Sequence, residues 1–499
     1  MGESQGWLFE PSFNRSVKVV ATDERITSDS GLLLLREADH RLGITESLAN
    51  QLHDPRDQDH TRYELVELLR ERIYALAAGY AAQDDADRMA HDPAMKMAAW
   101  NRPGDRPLDE RMASQPTQSR LLDILSREPG NRYALRDALA DACERHLRAE
   151  GGDHAARKIT IDIDSFPILV HGNQPGAAYN GHYKDTVYHP LVASYAVAGD
   201  YDSMHEGHRL GNGFLHAILR QGQVHTAQGV LRFVQEAVNK GKRLGFSVDL
   251  RIDAGYTDGH TLDHLTDEKV HFLGRLKSNA VLDRLAAPYL KRPVGRSPKG
   301  GYEDVIELGQ YQAESWRHSQ RVLLVVVDIP DPKTGQLNLL PNYFFLVVGW
   351  TPEELDGPAA LARYRRRGTF EDRLGEFQQA IGPHLSHADF HENETVLRLS
   401  LLAFNLASML RIEYEDKAGS CLDLVRFQRD VLKAGGRVVK HARRLVLYVA
   451  QAVAPFWKQL IDCINRWKLP ERFPKPRGSR PRDWMPPPRH AFLFEVRRE

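Results

Sequence analysis

Three acidic residues, Asp164, Asp253 and Glu371, stand at the ends of predicted strands and helices. Asp164 lies near the end of the strand-like segment KITIDIDSF, and Asp253 lies where the strand FSVDLRIDAGY runs into a glycine turn. Glu371 lies at the start of the helix predicted from TFEDRLGEFQQAIG. Such carboxylates could hold two divalent cations about 4 Å apart, an arrangement that cleaves phosphodiesters by acidifying water and stabilising a leaving 3′ oxygen. Mg²⁺ and Mn²⁺ prefer carboxylate oxygen, so we expect one of these ions.

Each carboxylate also has a simpler interpretation. An aspartate at the end of a strand is commonly a capping or turn residue, and a glutamate at a helix start is favoured by the positive end of the helix dipole. Thr369 and Asp372 fit the capping pattern S/T-x-x-D/E at the same helix start. The carboxylates therefore indicate chemistry only if the surrounding elements bring them together.

The surrounding elements predict a mixed α/β sheet. From residue 157 the apolar side chains recur with a period of two, which places Ile161 and Ile163 on one strand face and Asp162 and Asp164 on the other. The segments YHPLVASYAVAG and HFLGRL predict further strands, and residues 226–239 predict a helix between strands. RVLLVVVDI and NYFFLVVGW flank a turn and predict a β-hairpin before Glu371.

The composition limits the class of protein. The chain of 499 residues is long enough for several structural units, and its 67 basic and 67 acidic residues cancel. A zero formal charge argues against a polycationic nucleic-acid coat but permits local basic surfaces, such as the stretch KAGGRVVKHARR. Three widely spaced cysteines, no leader-like N-terminus and no run of about 20 apolar residues predict a cytoplasmic protein outside any membrane.

A longer pattern surrounds the glutamate, namely Tyr364-x2-Arg367-x3-Glu371-x6-Gln378. It resembles the Y-x2-R-x3-E-x6-K signature of DDE transposases from bacterial insertion sequences. The resemblance covers most of residues 10–460 and includes the segments HTRYELVELLRERIYALAAGYAAQDDADRMAHDPAMK, TIDIDSFPILVHGNQPGAAYNGHYKDTVYHPL and VDLRIDAGY. Together these segments are similar to the DDE domain group 1 transposases.

The resemblance implies an α/β, RNase H-like catalytic domain that has a mixed sheet and a β-rich insertion and is flanked by helical N-terminal and C-terminal regions. The chain then divides into six parts: a mostly helical DNA-binding region (1–150), the first part of the catalytic domain (151–299), the β-rich insertion (300–352), the part of the catalytic domain whose helix carries the glutamate (353–395), a helical C-terminal region (396–467) and a basic, proline-rich tail (468–499).

The resemblance also implies the metal ligands. Asp164, Asp253 and Glu371 would hold two Mg²⁺ or Mn²⁺ ions. Asp162 competes with Asp164 for the first position, and Asp164 is favoured because Asp164-Ser165 fits the D-[ST] pattern of the family.

Further residues of the pattern would contact DNA. Tyr364 and Arg367 would hold phosphates of the transposon end, since arginine suits a bidentate phosphate grip. Gln378 stands where relatives usually have lysine; its amide can hydrogen-bond a phosphate but lacks the charge, which Arg373 could supply. A tryptophan of the insertion, Trp350 or Trp316, could stack on a base flipped from the duplex or could pack in the hairpin core.

The implied activity is metal-dependent cleavage at insertion-sequence ends and strand transfer into target DNA, that is, cut-and-paste transposition. The expected partners are the terminal inverted repeats, the target DNA and at least one further copy of the chain. Lys440, Arg443 and Arg444 would follow DNA phosphates, as would the basic tail. Two alternatives are a catalytically silent protein that binds the transposon ends and an RNase H-like nuclease without strand transfer.

Overall fold

The computed structural model describes residues 7–102, 106–150, 158–197, 213–224, 227–292, 301–330, 334–338, 340–418, 422–442 and 444–467. The strands of this part are β1 (Trp7–Phe9), β2 (Val19–Val20), β3 (Arg25–Thr27), β4 (Lys158–Ser165), β5 (Ile168–Leu169), β6 (Ala178–Asn180), β7 (Asp185–Tyr188), β8 (Leu191–Val197), β9 (Gly213–Ile218), β10 (Ser247–Ile252), β11 (His271–Leu276), β12 (Tyr302–Tyr311), β13 (Gln320–Asp328), β14 (Asn342–Val348), β15 (Gly436–His441) and β16 (Arg444–Val449).

The helices of the same part are α1 (Leu32–Leu42), α2 (Ile44–Gln51), α3 (Leu65–Ala77), α4 (Asp85–Met89), α5 (Pro93–Ala99), α6 (Arg106–Asp109), α7 (Gln115–Arg127), α8 (Pro129–Glu150), α9 (Val230–Arg243), α10 (Gly259–Asp267), α11 (Ala280–Ala286), α12 (Gly357–Arg365), α13 (Gly368–Ala380), α14 (Phe390–Ala418), α15 (Leu424–Phe427) and α16 (Ala454–Arg466).

An eight-stranded mixed sheet forms the centre of the molecule, in the order β12-β13-β14-β11-β10-β4-β8-β9. The pairs β4–β10 and β10–β11 are parallel, and every other neighbouring pair in this sheet is antiparallel. Helix α9 connects β9 to β10, and α10 connects β10 to β11. The predicted mixed α/β sheet is therefore confirmed.

The two faces of β4 have different chemistry, as its alternation predicts. Ile159, Ile161 and Ile163 are fully buried in a core that includes apolar residues of α9 and α10. Helix α9 lies close to this face because Gly241 has no side chain: a Cβ there would lie 3.0 Å from the terminal methyl groups of both Ile159 and Ile161. The opposite face is thereby left to the aspartates.

The predicted hairpin is confirmed, since β13 and β14 pair antiparallel with Leu324 opposite Phe345. Strand β14 also pairs with β11, so β12, β13 and β14 extend the central sheet at one edge. Apolar residues on one side of these strands pack against Ala360 and Leu361 of α12. The residues predicted as an insertion thus provide a surface on which α12 packs.

Helix α14 is the central helix of the helical part and packs against α3, α7, α8 and α16. Its segment Phe390–Tyr414 is long and apolar enough to cross a membrane, although the sequence predicts no such segment, and it is wholly buried inside the protein. Its apolar character is accounted for by this burial, because a helix surrounded by other helices is apolar on all sides.

The prediction that residues 396–467 are helical is wrong for Gly436–His441 and Arg444–Val449, which pair as the hairpin β15–β16. Strand β15 also pairs with β3 from the first part of the chain. The sequence GRVVKH contains two β-branched valines, which favour strands. Its partner β3 is far away in the sequence, since Val438 pairs with Arg25. Arg443 and the tail 468–499 lie outside the described residues.

Candidate active site

The ends of two adjacent parallel strands bring two of the aspartates together. In the register of β4 and β10, Asp162 lies beside Arg251 and Ile163 beside Ile252. The next residues along the chain are Asp164, still within β4, and Asp253, directly after β10, so both lie at the same end of the sheet. The strand ends predicted from the sequence thus meet in space.

The glutamate arrives on a separate helix. Tyr364 lies in the last turn of α12, Glu371 lies in the first turn of α13, and Arg367 occupies the break between the two helices. Two helices therefore carry the residues from Tyr364 to Gln378, and the helix start predicted near Glu371 is confirmed. The predicted cap is wrong, however, because Arg367 is the N-cap residue and the Thr369 hydroxyl donates to the carbonyl of Arg366.

The Arg367 guanidinium lies between two of the carboxylates. Its Nη2 donates to Oδ2 of Asp164 at 2.5 Å, and its Nη1 donates to Oε1 of Glu371 at 2.7 Å. The Tyr364 hydroxyl donates to Oδ1 of Asp253 at 3.3 Å. One cluster therefore contains the three predicted carboxylates and the tyrosine and arginine of the longer pattern. The Glu371 side chain is 62 % exposed, so the cluster opens to solvent on its side.

Burial and charge act against each other in this cluster. Burial raises the pKa of Asp164, and the negative charge of Asp253 raises it further. The positive charge of Arg367 lowers it. Burial disfavours charged Arg367, but Asp164 and Asp253 outweigh this and raise the pKa of the guanidinium. Burial and Asp253 also raise the pKa of Tyr364, which keeps its hydroxyl proton for donation. Arg367 is thus the permanent cation of the cluster.

The two competing aspartates have different surroundings. Asp162 accepts two hydrogen bonds from Arg251, at 2.8 Å from Nε and 2.6 Å from Nη2. Both side chains of this pair are buried, and Arg251 also donates to the carbonyl of Arg363 in α12. Asp162 is thus neutralised inside the protein, whereas the side chain of Asp164 is 20 % exposed at the strand end.

Sequence reasoning missed the residues that support the cluster. The Tyr256 hydroxyl lies 2.6 Å from Oγ of Ser165 and 3.4 Å from Oδ1 of Asp164. Asp249 pairs with Arg363, which ties β10 to α12. A period of two in the segment VDLRID places Asp249 and Arg251 on the face of Asp253, and this signal was available in the sequence.

Of the other predicted DNA contacts, Gln378 lies near the cluster, whereas Lys440 and Arg444 lie on the β15–β16 hairpin. Gln378 is exposed near the cluster and donates to the carbonyl of Pro167 at 3.1 Å. Arg373 is largely buried and pairs with Glu376, a position that does not favour its suggested role as substitute for the missing lysine. Lys440 and Arg444 are exposed on the β15–β16 hairpin.

The base-stacking role predicted for Trp350 does not fit its position. Its side chain is 6 % exposed, and its ring stacks on His271 with 4.8 Å between centroids. The Arg363 guanidinium also lies over the Trp350 ring, 4.6 Å from its centre. Trp316, the second candidate, is also buried at 9 % exposure. Both side chains belong to the cores of the extended sheet, where their apolar rings pack.

The carboxylate set fits hard divalent cations by chemistry. All three predicted ligands provide oxygen, which Mg²⁺ and Mn²⁺ prefer. Within the described residues, no three side chains of histidine, cysteine, aspartate or glutamate converge as a metal site.

Oxygen ligands for cations beside a guanidinium suited to phosphate are the features of proteins that act on phosphodiester bonds. The model of the family "Transposase DDE domain group 1" matches residues 9–468, and the chain belongs to that family. Membership implies DNA transposition, binding to DNA and nuclease or transesterase activity at the level of the family. No curated protein matches the chain.

The buried pair of Asp162 and Arg251 predicts that substitutions of the two β4 aspartates, Asp162 and Asp164, destabilise the protein to different extents. We expect Asp162→Asn to lower the free energy of unfolding by about 3–5 kcal/mol, because it leaves the buried Arg251 without its carboxylate. Asp164→Asn should lower it far less, since its charge is partly exposed and already disfavoured by burial. Urea denaturation of both variants measures the difference. Equal unfolding midpoints for Asp162→Asn and the wild type would contradict a structural role for Asp162.

Proposed function

We propose that the chain is a cut-and-paste transposase that cleaves DNA at insertion-sequence ends and transfers the freed strand into target DNA. The observation that carries this proposal is the position of Arg367, which holds Asp164 and Glu371 next to Asp253 at the ends of two parallel strands. Asp164, Asp253 and Glu371 are then the ligands of two Mg²⁺ or Mn²⁺ ions, and Asp162 is a structural residue.

The strand order supports an RNase H-like catalytic domain. Strands β4, β8 and β9 form an antiparallel meander, and β10 and β11 then add parallel to β4 on its other side. The order β9-β8-β4-β10-β11 places the first and the fourth strands of this unit side by side at its centre. The carboxylates at the ends of β4 and β10 occupy this central position.

The residues of the cluster have separate tasks in the proposed reaction. Asp164 and Asp253 present carboxylate oxygens from a rigid sheet, while Glu371 presents its carboxylate from a helix start. Divalent ions bound there would acidify the attacking water and stabilise the leaving 3′ oxygen. Arg367 would exchange its carboxylate partners for a phosphate of the transposon end, and Tyr364 would donate to a neighbouring phosphate oxygen. Rigid strand ends keep the attacking and leaving atoms in line.

Arg367 acts in this proposal as an internal counter-ion. In the absence of metal its guanidinium compensates the negative charges of Asp164 and Glu371, so the cluster remains folded. Asp164 and Glu371 would hold the cations when these are bound, and Arg367 would then be available to a phosphate of the DNA. The site would thus assemble fully only when both are bound.

The remaining contacts extend over the protein. Gln378 lies close to the end of β4 and would hydrogen-bond a phosphate there. Lys440 and Arg444 are exposed on the β15–β16 hairpin and would add contacts that do not depend on base sequence. Two ends must be joined in one complex, so at least a homodimer would act on DNA. The protein would work in the cytoplasm, bound to the nucleoid.

Cleavage and joining test the proposed function directly. With Mg²⁺ and a labelled inverted-repeat end from the DNA flanking the gene, the wild type should nick the end and join it to a target. Asp253→Ala should lower both rates at least about 100-fold, because metal ions contribute several kcal/mol to the transition state. Asp372→Ala, an exposed acidic neighbour of Glu371, is the matched control and should retain activity.

The alternatives give different results in the same assay. Cleavage without joining would identify a nuclease, and binding without cleavage would identify a silent end-binding protein. An Asp253→Ala variant that cleaves like the wild type would contradict the assigned metal ligands.

The counter-ion role of Arg367 predicts an effect on metal binding in the absence of DNA. Arg367→Gln should unfold at a lower temperature than the wild type without metal, since Asp164 and Glu371 lose their compensating charge. Its affinity for Mn²⁺ should rise about tenfold, which adds about 1.4 kcal/mol of metal-dependent stability under saturating conditions. Arg365→Gln, which alters an exposed arginine paired with Glu303, should respond to Mn²⁺ like the wild type. Equal Mn²⁺-induced shifts in melting temperature for all three proteins would refute the role.

The glutamine at the lysine position predicts a gain of DNA affinity upon substitution. Gln378→Lys should bind end DNA more tightly, and the slope of log affinity against log salt should steepen by about 0.9 for one additional phosphate contact. Gln379→Lys adds the same charge at the neighbouring exposed position and should change the slope less. Binding titrations at several salt concentrations distinguish the two variants. Identical slopes would place Gln378 away from the DNA backbone.

A further inference from the structure

A cavity lined by arginines lies between α8, α9 and α14. It is a cavity of about 400 Å³, which we call the arginine cavity, and its charged lining consists of Arg132, Arg136, Arg232, Arg398, Glu236 and Glu394. Four arginines against two glutamates give these side chains a net charge of +2. Tyr133, which also lines the cavity, is 52 % exposed, so the cavity is open to solvent. Such a cavity favours an anion.

The two glutamates do not satisfy all four guanidinium groups. Arg136 and Arg232 share Glu236, and Arg398 donates to Oε1 of Glu394 at 2.8 Å. The side chain of Arg398 is more than nine-tenths buried, and its Nε has no hydrogen-bond partner in the described part of the chain. Arg132 lines the cavity, and its guanidinium makes no ion pair or hydrogen bond with any residue that the structure describes.

The local field also favours an anion. Burial lowers the pKa of Arg136 and of Arg398, and neighbouring guanidinium groups lower both further. Helix α9 begins at the cavity, where Gly229 is the N-cap residue and no side chain caps the first turn. The positive end of this helix dipole adds to the charge of the arginines. Crowded positive charges in a partly desolvated cavity are stabilised by a negative ligand.

The cavity and the carboxylate cluster lie at the same end of the strands of the central sheet. Ile218, at the end of β9, lines the cavity and pairs with Leu191, which in turn pairs with Ser165 next to Asp164. Two strand spacings amount to about 10 Å. The cavity is therefore a few nucleotides at most from the carboxylates along a DNA strand that follows this end of the sheet.

We propose that the arginine cavity binds a phosphate group of the DNA strand that passes along this end of the sheet to the carboxylates. This inference rests on the proposed function. Arg132 and Arg398 would hydrogen-bond the phosphate oxygens, and the first turn of α9 would face the same group. The contact would fix the position of the strand without reading its bases.

Binding of the full-length protein to end DNA, with Ca²⁺ in place of Mg²⁺, tests the cavity. Arg132→Gln should weaken binding about tenfold for any DNA sequence and reduce the salt slope by about 1. Arg148→Gln is the matched control, because it alters an exposed arginine on the same helix that pairs with Glu144, and it should bind like the wild type.

Phosphate substitution identifies the group that is bound. Replacing single phosphates by uncharged methylphosphonates should reveal one position, within a few nucleotides of the cleaved bond, where the wild type loses affinity and Arg132→Gln loses little more. Inorganic phosphate and a mononucleotide serve as probes for a free ligand. If either raises the melting temperature of the wild type but not of Arg132→Gln, and Arg132→Gln binds DNA normally, the cavity serves a free phosphate compound and the inference is wrong.

Failure of this inference differs from failure of the proposed function. A wild type that cleaves end DNA, together with an Arg132→Gln variant of unchanged affinity and salt slope, overturns the arginine cavity alone. A wild type that binds no DNA overturns both.

Discussion

The candidate site depends on the charge of one guanidinium. Two unit charges 4 Å apart interact by about 4 kcal/mol at an effective dielectric constant of 20, so acidic side chains gathered at partly buried strand ends need compensation. Arg367 provides it from a helix break, where its side chain reaches Asp164 on the sheet and Glu371 on the following helix. The same contact joins the sheet to α13 and defines the distance between the carboxylates. Electrostatic compensation and positioning are thus the work of one residue.

The sheet register imposes a second constraint. A shift of one residue between β4 and β10 would turn the aspartates into the apolar core and the isoleucines toward α12. The buried pair of Asp162 and Arg251 opposes such a shift, because its two hydrogen bonds form only in the observed register. Neutralising Asp162 in this way also leaves Asp164 as the aspartate of β4 that faces the exposed end of the site. On β4, therefore, one aspartate (Asp162) fixes the strand register, and the other (Asp164) remains as the proposed metal ligand.

Local patterns in the sequence predicted the parts of this architecture that depend on local physics. The period of two in β4, the hairpin of β13 and β14 and the acidic strand ends follow from alternation and turn residues, and the sheet is mixed as expected. The β15–β16 hairpin depends on pairing with β3, and the burial of Trp350 depends on α12, so neither was apparent from neighbouring residues. The helix start near Glu371 was predicted, but Arg367 was not recognised as its N-cap residue, since the residues from Gly357 to Ala380 are compatible with helix and only tertiary contacts favour a break at Arg367. The metal ligands themselves remain a proposal that combines a family pattern with this geometry.

The strands β12, β13 and β14 matter for the site although none of the three carboxylates lies on them. Helix α12 packs its Ala360 and Leu361 on the apolar surface that these strands form together with β11. Arg321 of β13 donates to the carbonyl of Leu355 at 2.7 Å, and Glu303 of β12 pairs with an arginine at the end of α12. The packing of α12 on these strands holds the helix that leads to the break from which Arg367 reaches the carboxylates. An insertion that extends the sheet is therefore part of the framework of the site, because removing it would remove the surface that supports the arginine.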